Sequence, residues 1–220
     1  MSDFAAVHRR TVSLVGRVHK RATAAASASL SRWERRCVSE TLISDLWQFW
    51  NEFVREVLIS SCAGSVTRSG AAIVARTGDN SWERVSYEAV QYVIASKSHK
   101  PPKVKKTKKN VARYQDPTWG DLDTIIDVVN GLAPTNAPAL ATGFGATAIG
   151  MKHLQVTRNA CFHKNSETRQ SVKNIERLYF ASADLGDVAD LAWKPYFGKT
   201  TPAILDWISS FMAVSEIVTK

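Results

Sequence analysis

Cysteine is scarce in this chain, and its distribution excludes two classes of small protein. The 220 residues include three cysteines, Cys37, Cys62 and Cys161, which lie far apart and form no CxxC pair. A disulfide-stapled scaffold usually has an even number of cysteines, and a zinc finger has closely spaced pairs of ligands. The cysteines therefore predict folding in a reducing compartment, and we expect the protein to be cytoplasmic.

A long apolar run is also missing. The longest uncharged stretch, residues 128–151, is interrupted by Pro134, Pro138 and several glycines, which makes it a poor membrane span. No apolar segment follows the basic residues of the N-terminus, so no secretory signal is expected. The first 32 residues are rich in Arg, Ser and Ala, as transit peptides are, but a first amphipathic helix is the favoured interpretation. We therefore expect no membrane partner.

Common signatures of catalytic and metal sites are absent too. The sequence has no GxxxxGK[ST] phosphate loop and no GxSxG nucleophile elbow, which carry many nucleotide-dependent and hydrolytic reactions. No two of the five histidines lie four residues apart, so a zinc or di-iron site on a helix has little support. No metal and no cofactor is therefore predicted.

Positive charge is in excess and is unevenly distributed. Lys and Arg number 29 against 20 Asp and Glu, which gives a net charge of +9. Residues 1–36 carry +6 and residues 97–113 carry +8, whereas residues 37–96 and 114–220 carry −3 and −2. Such an excess favours an anionic partner such as nucleic acid or an anionic membrane surface.

Apolar residues recur every three or four positions, which predicts an all-α helical bundle. We expect one domain over residues 1–220, with an amphipathic helix inside residues 1–30 and a long basic loop insertion. Ser31 and Glu34 predict a capping box at the start of the second helix. No alternating strand pattern is visible, and residues 62–80 and 186–201 are predicted connectors. The other expected helices cover residues 31–60, 82–96, 119–131, 137–163, 165–181 and 202–217.

The basic loop insertion is residues 97–113, which contain eight basic residues, no acidic residue and the Pro101–Pro102 pair. A segment of this composition cannot join a core and is expected to be a solvated loop. Its lysines can contact the phosphates of RNA, and the alternative is a solvated insert with no partner. The candidate RNA-binding residues are Lys103, Lys105, Lys106, Lys108 and Lys109.

The segment with the clearest chemical potential is RNACFH, residues 158–163. At roughly 100° per residue, Asn159 and His163 lie about 100° and about 140° around a helix from Arg158. Arg presents a charged fork that matches a phosphate, His transfers protons near neutral pH, and Asn can orient either group. The three residues together suit phosphodiester cleavage, although an Arg and a His at this spacing also occur by chance.

The string RNACFHKN, near the end of one helix and before a capped second helix, resembles the RNxxxH form of the HEPN superfamily motif. The long aromatic helix at residues 33–58 is similar to the early helices of that family, and the resemblance covers residues 32–220. It is closest to ribonucleases of the RiboL-PSP-HEPN type. The resemblance implies an all-α, metal-independent endoribonuclease of a toxin–antitoxin, abortive-infection or antiviral defence system.

The same resemblance implies roles for particular residues. Arg158 and His163 would be catalytic and Asn159 would be their polar companion, in a reaction where the 2′-hydroxyl of RNA attacks the adjacent phosphorus. A homodimer would bring two motifs into one cleft, and an antitoxin or another defence-system protein would be a partner. Asn165 replaces the tyrosine that some HEPN toxins carry for modification, so that mode of regulation is not expected.

Two other functions remain open. The chain could be a catalytically inactive HEPN-like module that binds RNA or a partner protein. It could also be a helical, structural nucleic-acid-binding protein in which the RNxxxH string is fortuitous. An exposed His163 near basic residues would argue against the latter.

Overall fold

The computed structural model describes residues 3–105, 116–146, 148–179 and 185–220. Helices dominate these ranges, and the predicted all-α fold is confirmed. Over the same ranges, every helix is too short or too polar to traverse a lipid bilayer. The elements are α1 (Phe4–Ser27), α2 (Arg32–Ala63), β1 (Ser65–Val66), β2 (Ala72–Ile73), α3 (Trp82–Ser98), α4 (Ile125–Leu132), α5 (Ala137–Ala146), α6 (Ala148–His163), α7 (Ser166–Glu176), a 3₁₀ helix (Val188–Trp193) and α8 (Ala203–Thr219).

The chain divides into two compact units. The first contains residues 1–11, 50–146 and 214–220, and the second contains residues 12–49 and 147–213. Helices α1, α2 and α8 each contribute residues to both units. Because the units share helices in this way, neither unit is one continuous stretch of the sequence. The expectation of one domain over residues 1–220 stays a prediction.

Helix α2 begins with the expected capping box. The backbone N–H of Ser31 donates to Glu34 Oε2 at 2.9 Å, and the backbone N–H of Glu34 donates to Ser31 Oγ at 3.3 Å. Ser31 Oγ also lies 2.6 Å from Glu34 Oε2, and these bonds lower the pKa of the Glu34 carboxyl. Two free N–H groups of the first turn are thereby satisfied, which fixes where α2 starts.

The first unit is built around Trp50, which is fully buried. Its indole Nε1 donates to the carbonyl oxygen of Gly120 at 2.9 Å, and Asn51 Oδ1 accepts from the N–H of Gly120 at 2.9 Å. The ring of Phe144 meets the indole edge-on at 6.0 Å. The backbone of residue 120 is therefore held directly against the aromatic face of α2.

Several predicted boundaries are wrong in detail. The helix expected from residue 119 begins at Ile125, because residues 118–124 form turns in which Asp121 and Thr124 N–H groups bond three residues back. The helix expected to reach residue 181 ends at Glu176. Residues 62–80 contain the antiparallel pair β1–β2. The predicted connector 186–201 contains the 3₁₀ helix, which Asp187 and Asp190 cap reciprocally.

Helix α3 ends on His99 in the left-handed conformation, with φ 52° and ψ 31°. The N–H groups of His99 and Lys100 both donate to the carbonyl oxygen of Ala95. The left-handed conformation destabilises an L-residue by roughly 1–2 kcal/mol, and glycine avoids this strain. Glycine also makes the unfolded chain more flexible, which offsets about 0.5–1 kcal/mol of the stabilisation.

We therefore expect His99→Gly to raise the free energy of unfolding by about 0.5–1 kcal/mol, measured by urea denaturation. The matched control is His19→Gly, since His19 is exposed inside α1. Glycine in a helix interior is disfavoured, so the control should lower stability. A loss of stability in both variants would contradict the strain at His99.

Candidate active site

Helix α6 positions the RNACFH segment within the second unit. Met151 and Leu154 are fully buried and Cys161 is 3% exposed, so one face of α6 is fixed in the core. Arg158 projects near this buried face, because it follows Leu154 by one helical turn, whereas Asn159 and His163 lie about 100° and about 140° further around the helix. The apolar character of Phe162 predicts that it packs in the core, but its side chain is 50% exposed.

Arg158 is half-buried and only partly satisfied. Its Nη1 donates to Asn159 Oδ1 at 3.3 Å, while its Nε is buried and has no hydrogen-bond partner among the described residues. Burial lowers the pKa of the guanidinium, which remains a cation at neutral pH. A charged N–H group taken out of water without a partner is costly, and because Nε is buried, an anion could meet this guanidinium only at its Nη groups.

His163 is the last residue of α6 and is exposed. It makes no hydrogen bond or ion pair with any part of the chain that the structure describes. Lys164 follows in the left-handed conformation with φ 48°, and Asn165 Oδ1 then accepts from the N–H of Thr168 at 2.8 Å to cap α7. The sequence pattern allows either Asn165 or Ser166 to cap α7, and the structure shows Asn165 as the cap.

Arg158 and His163 do not converge within one copy of the chain. Five residues of α-helix separate them by about 7.5 Å along the axis and about 140° around it, and no contact between them occurs in the described residues. Asn159 lies between them and is half-buried. One copy therefore presents the guanidinium and the imidazole on different faces of α6.

Phe162 is the motif residue whose exposure sequence reasoning missed. The guanidinium carbon of Arg158 lies 4.8 Å from the centre of its ring, within the range of a cation–π contact. The helical wheel carried the signal, since position 162 falls only about 40° from position 158. A half-exposed aromatic ring thus lies inside the sector that Arg158 and His163 define.

A cavity of about 340 Å³ lies beside the end of α6. Its lining consists of Arg36 and Glu40 of α2, Ala160 of α6, Lys164 just after α6, four residues of α7 and the segment 185–188. No periodicity or spacing in the sequence indicates this cavity, because α2 lies more than a hundred residues before the other walls.

His153, the other histidine of α6, has a structural role. It is 6% exposed, and its Nδ1 lies 2.7 Å from Tyr179 Oη, which also accepts from Trp207 Nε1 at 3.2 Å. Because the indole can only donate, the tyrosine proton is free to go to His153 Nδ1. Burial lowers the pKa of His153. The neutral imidazole of His153, hydrogen-bonded through Tyr179 to Trp207, therefore links α6 to α8.

The basic first helix predicts a solvated surface position for His8, and this prediction is wrong because the residue is half-buried. Its Nδ1 lies 2.8 Å from Ser215 Oγ and its Nε2 lies 3.0 Å from Glu216 Oε1, inside the first unit. Burial and the charge of Arg68 lower the pKa of the imidazole. A serine, a histidine and a carboxylate in series can activate a nucleophile, but Ser215 is fully buried and cannot meet a substrate.

The basic loop insertion is only partly described. Lys103 and Lys105 are exposed, as expected of RNA-binding candidates, but their backbone is tied to α3. Tyr87 Oη donates to the carbonyl oxygen of Lys103 at 3.3 Å, and the N–H of Lys105 donates to the same hydroxyl at 3.1 Å. Arg84 Nη1 donates to the Lys105 carbonyl at 2.8 Å. Lys106, Lys108 and Lys109 lie outside the described residues.

Comparison with known proteins gives no match: no family model fits the chain, and neither the curated proteins nor the solved structures include a similar one. Within the described ranges, no group of three or more His, Cys, Asp or Glu side chains is arranged to hold a metal ion. The residues of α6 and the adjacent cavity therefore supply the basis for a functional proposal.

Proposed function

We propose that this chain is a metal-independent endoribonuclease of the HEPN type that acts in the cytoplasm. The observation that supports it best is that one helix carries both the half-buried guanidinium of Arg158, whose Nε lacks a partner in the described structure, and an exposed His163. A cation that stabilises phosphoryl charge and a histidine that transfers protons are suited to RNA cleavage by the 2′-hydroxyl. A toxin–antitoxin, abortive-infection or other defence system is the proposed setting.

The reaction requires no group beyond the RNA and these side chains. The 2′-oxygen bonds to phosphorus as the bond to the 5′-oxygen breaks, which leaves a 2′,3′-cyclic phosphate and a free 5′-hydroxyl. A base takes the proton of the 2′-hydroxyl, and an acid delivers one to the 5′-oxygen. His163 performs proton transfer, Arg158 neutralises the charge that develops on the phosphoryl oxygens, and Asn159 holds the guanidinium.

A homodimer would complete the site. Because Arg158 and His163 diverge on one helix, two copies of α6 facing each other would place a guanidinium and an imidazole on both sides of one phosphodiester. The two histidines would then divide the roles of base and acid. The exposed lysines at 103 and 105 would add phosphate contacts that strengthen RNA binding.

The alternative is a catalytically inactive HEPN-like module that binds RNA or a partner protein. One observation favours it: His163 has no orienting partner in the described part of the chain, whereas a general base is usually held by a third group. In that case RNA would bind and remain intact.

The test is incubation of purified protein with total RNA in EDTA, followed by mapping of the new ends. We expect fragments with 2′,3′-cyclic phosphate and 5′-hydroxyl ends. The matched control is the double variant Arg158→Ala/His163→Ala, purified identically, which reports any contaminating nuclease. Equal cleavage by wild type and the double variant, or cleavage that starts only after Mg²⁺ is added, would contradict the proposal.

A further inference from the structure

The cavity beside α6 begins one residue after His163. Lys164 lines it, and its volume of about 340 Å³ is at the lower end of the range for sites that enclose small organic ligands, about 300–1,000 Å³. A single nucleotide is a ligand of about this size. The charges on the cavity walls decide what kind of ligand fits.

The wall formed by α2 and the segment 185–188 is electrically balanced. Arg36 contacts Glu40 Oε1 and Asp187 Oδ2, both at 3.2 Å, and Lys164 Nζ lies 3.6 Å from Glu40 Oε1. Two cations therefore face two carboxylates that already satisfy them. This wall offers structure and hydrogen bonds but little net charge to a ligand.

The wall formed by α7 carries two cations without partners. Arg169 and Lys173 line the cavity, are exposed, and have no ion pair in the ranges that the structure describes. They lie four residues apart, where like charges on a helix repel. An anion placed between them would relieve that repulsion, and a phosphate matches both an Arg fork and a Lys ammonium.

The rest of the cavity suits a sugar and a base. Leu185 and Val188 line the cavity and are only half-buried, so they give it an apolar surface. Glu176 Oε1 accepts from the N–H of Leu185 at 3.3 Å, which leaves Oε2 able to accept a bond from a hydroxyl group. The cavity therefore offers a place for a phosphate, an acceptor for a sugar hydroxyl and an apolar surface for a ring.

We propose that this cavity binds one nucleotide of the RNA strand, next to the phosphodiester that His163 acts on. Arg169 and Lys173 hold its phosphate, Glu176 accepts a ribose hydroxyl, and the base lies against Leu185 and Val188. The proposal rests on the proposed ribonuclease function, which it extends by assigning a binding subsite away from the RNxxxH motif.

The test measures binding without cleavage. A fluorescein-labelled RNA oligonucleotide, which keeps its ribose hydroxyls, is titrated into His163→Ala, where cleavage is blocked, and into the same protein carrying Arg169→Gln/Lys173→Gln. We expect the variant to bind about tenfold more weakly, and the salt dependence of binding to fall by about 0.7, as expected for one lost phosphate contact. Arg17→Gln/Lys20→Gln, introduced into His163→Ala, removes the same charge from an exposed face of α1 and should bind like His163→Ala alone.

The outcomes separate this proposal from the proposed function. Equal affinity of His163→Ala and the α7 variant would overturn the subsite, whatever the result of the cleavage assay. If the wild type cleaves no RNA but the α7 variant still binds the oligonucleotide more weakly, the subsite is supported and the nuclease function is refuted. Adenosine 5′-phosphate alone, titrated by calorimetry, should bind far more weakly than the oligonucleotide. Equally tight binding would overturn the assignment of the cavity to an RNA strand.

Discussion

Replacing His163 with alanine is expected to lower the rate of RNA cleavage by about 10²–10⁴-fold, the contribution of a positioned acid or base. The side chain is exposed at the end of α6 and supports no packing, so the variant should fold like wild type. Cleavage of a defined single-stranded RNA in EDTA gives the rate, and circular dichroism verifies the fold. Unchanged cleavage by His163→Ala would refute the assignment of this histidine.

Substitutions of Arg158 provide the companion measurement. Arg158→Ala should lower the rate by about 10²–10³-fold, since one preorganised charge partner of the transition state is lost. Arg158→Lys keeps the charge and loses the planar fork that contacts Asn159 and Phe162, so most of the loss should remain. Both variants should retain oligonucleotide binding if the subsite on α7 holds the strand.

Much of the helical framework follows from short-range signals in the sequence. The cap at Ser31 and Glu34 and the cap at Asn165 are local, because side chain and backbone partner lie three residues apart. Such pairs can be recognised without a fold. The helix boundaries they define fall within a residue or two of the observed ones.

The errors arise where long-range packing overrides local pattern. The start of α4 is delayed because the backbone around Gly120 bonds to Trp50 and Asn51, about seventy positions earlier. His8 is drawn into the first unit by Ser215 and Glu216, about two hundred positions later. The periodicity of apolar residues within a single helix gives no information about contacts between residues so far apart in the sequence.

The candidate site was predictable only in part. The residues of the RNxxxH string lie together on α6 as the helical wheel requires, since they are neighbours in sequence. The cavity needs Arg36, Lys164 and Arg169 to meet, and only the tertiary fold brings them together. A sequence motif can therefore suggest which residues react, but it does not show which residues elsewhere in the chain bind the substrate.

Replacing Gly120 with alanine should strongly destabilise the first unit. A Cβ at this position would lie 2.3 Å from both Cδ1 and Nε1 of Trp50, and that indole is fully buried. Overpacking of a core costs roughly 1–3 kcal/mol, and the bond from Trp50 Nε1 to the Gly120 carbonyl contributes about 1 kcal/mol. We expect the free energy of unfolding to fall by roughly 2–4 kcal/mol.

Urea denaturation followed by circular dichroism measures that loss, and Gly16→Ala is the matched control. Gly16 lies inside α1, and a Cβ there would meet no heavy atom within 4 Å. Since alanine is the better helix former by about 1 kcal/mol, the same chemical change should raise stability at position 16 and lower it at position 120. If both glycines tolerated alanine equally, the close contact between Gly120 and Trp50 would not limit the packing of the first unit.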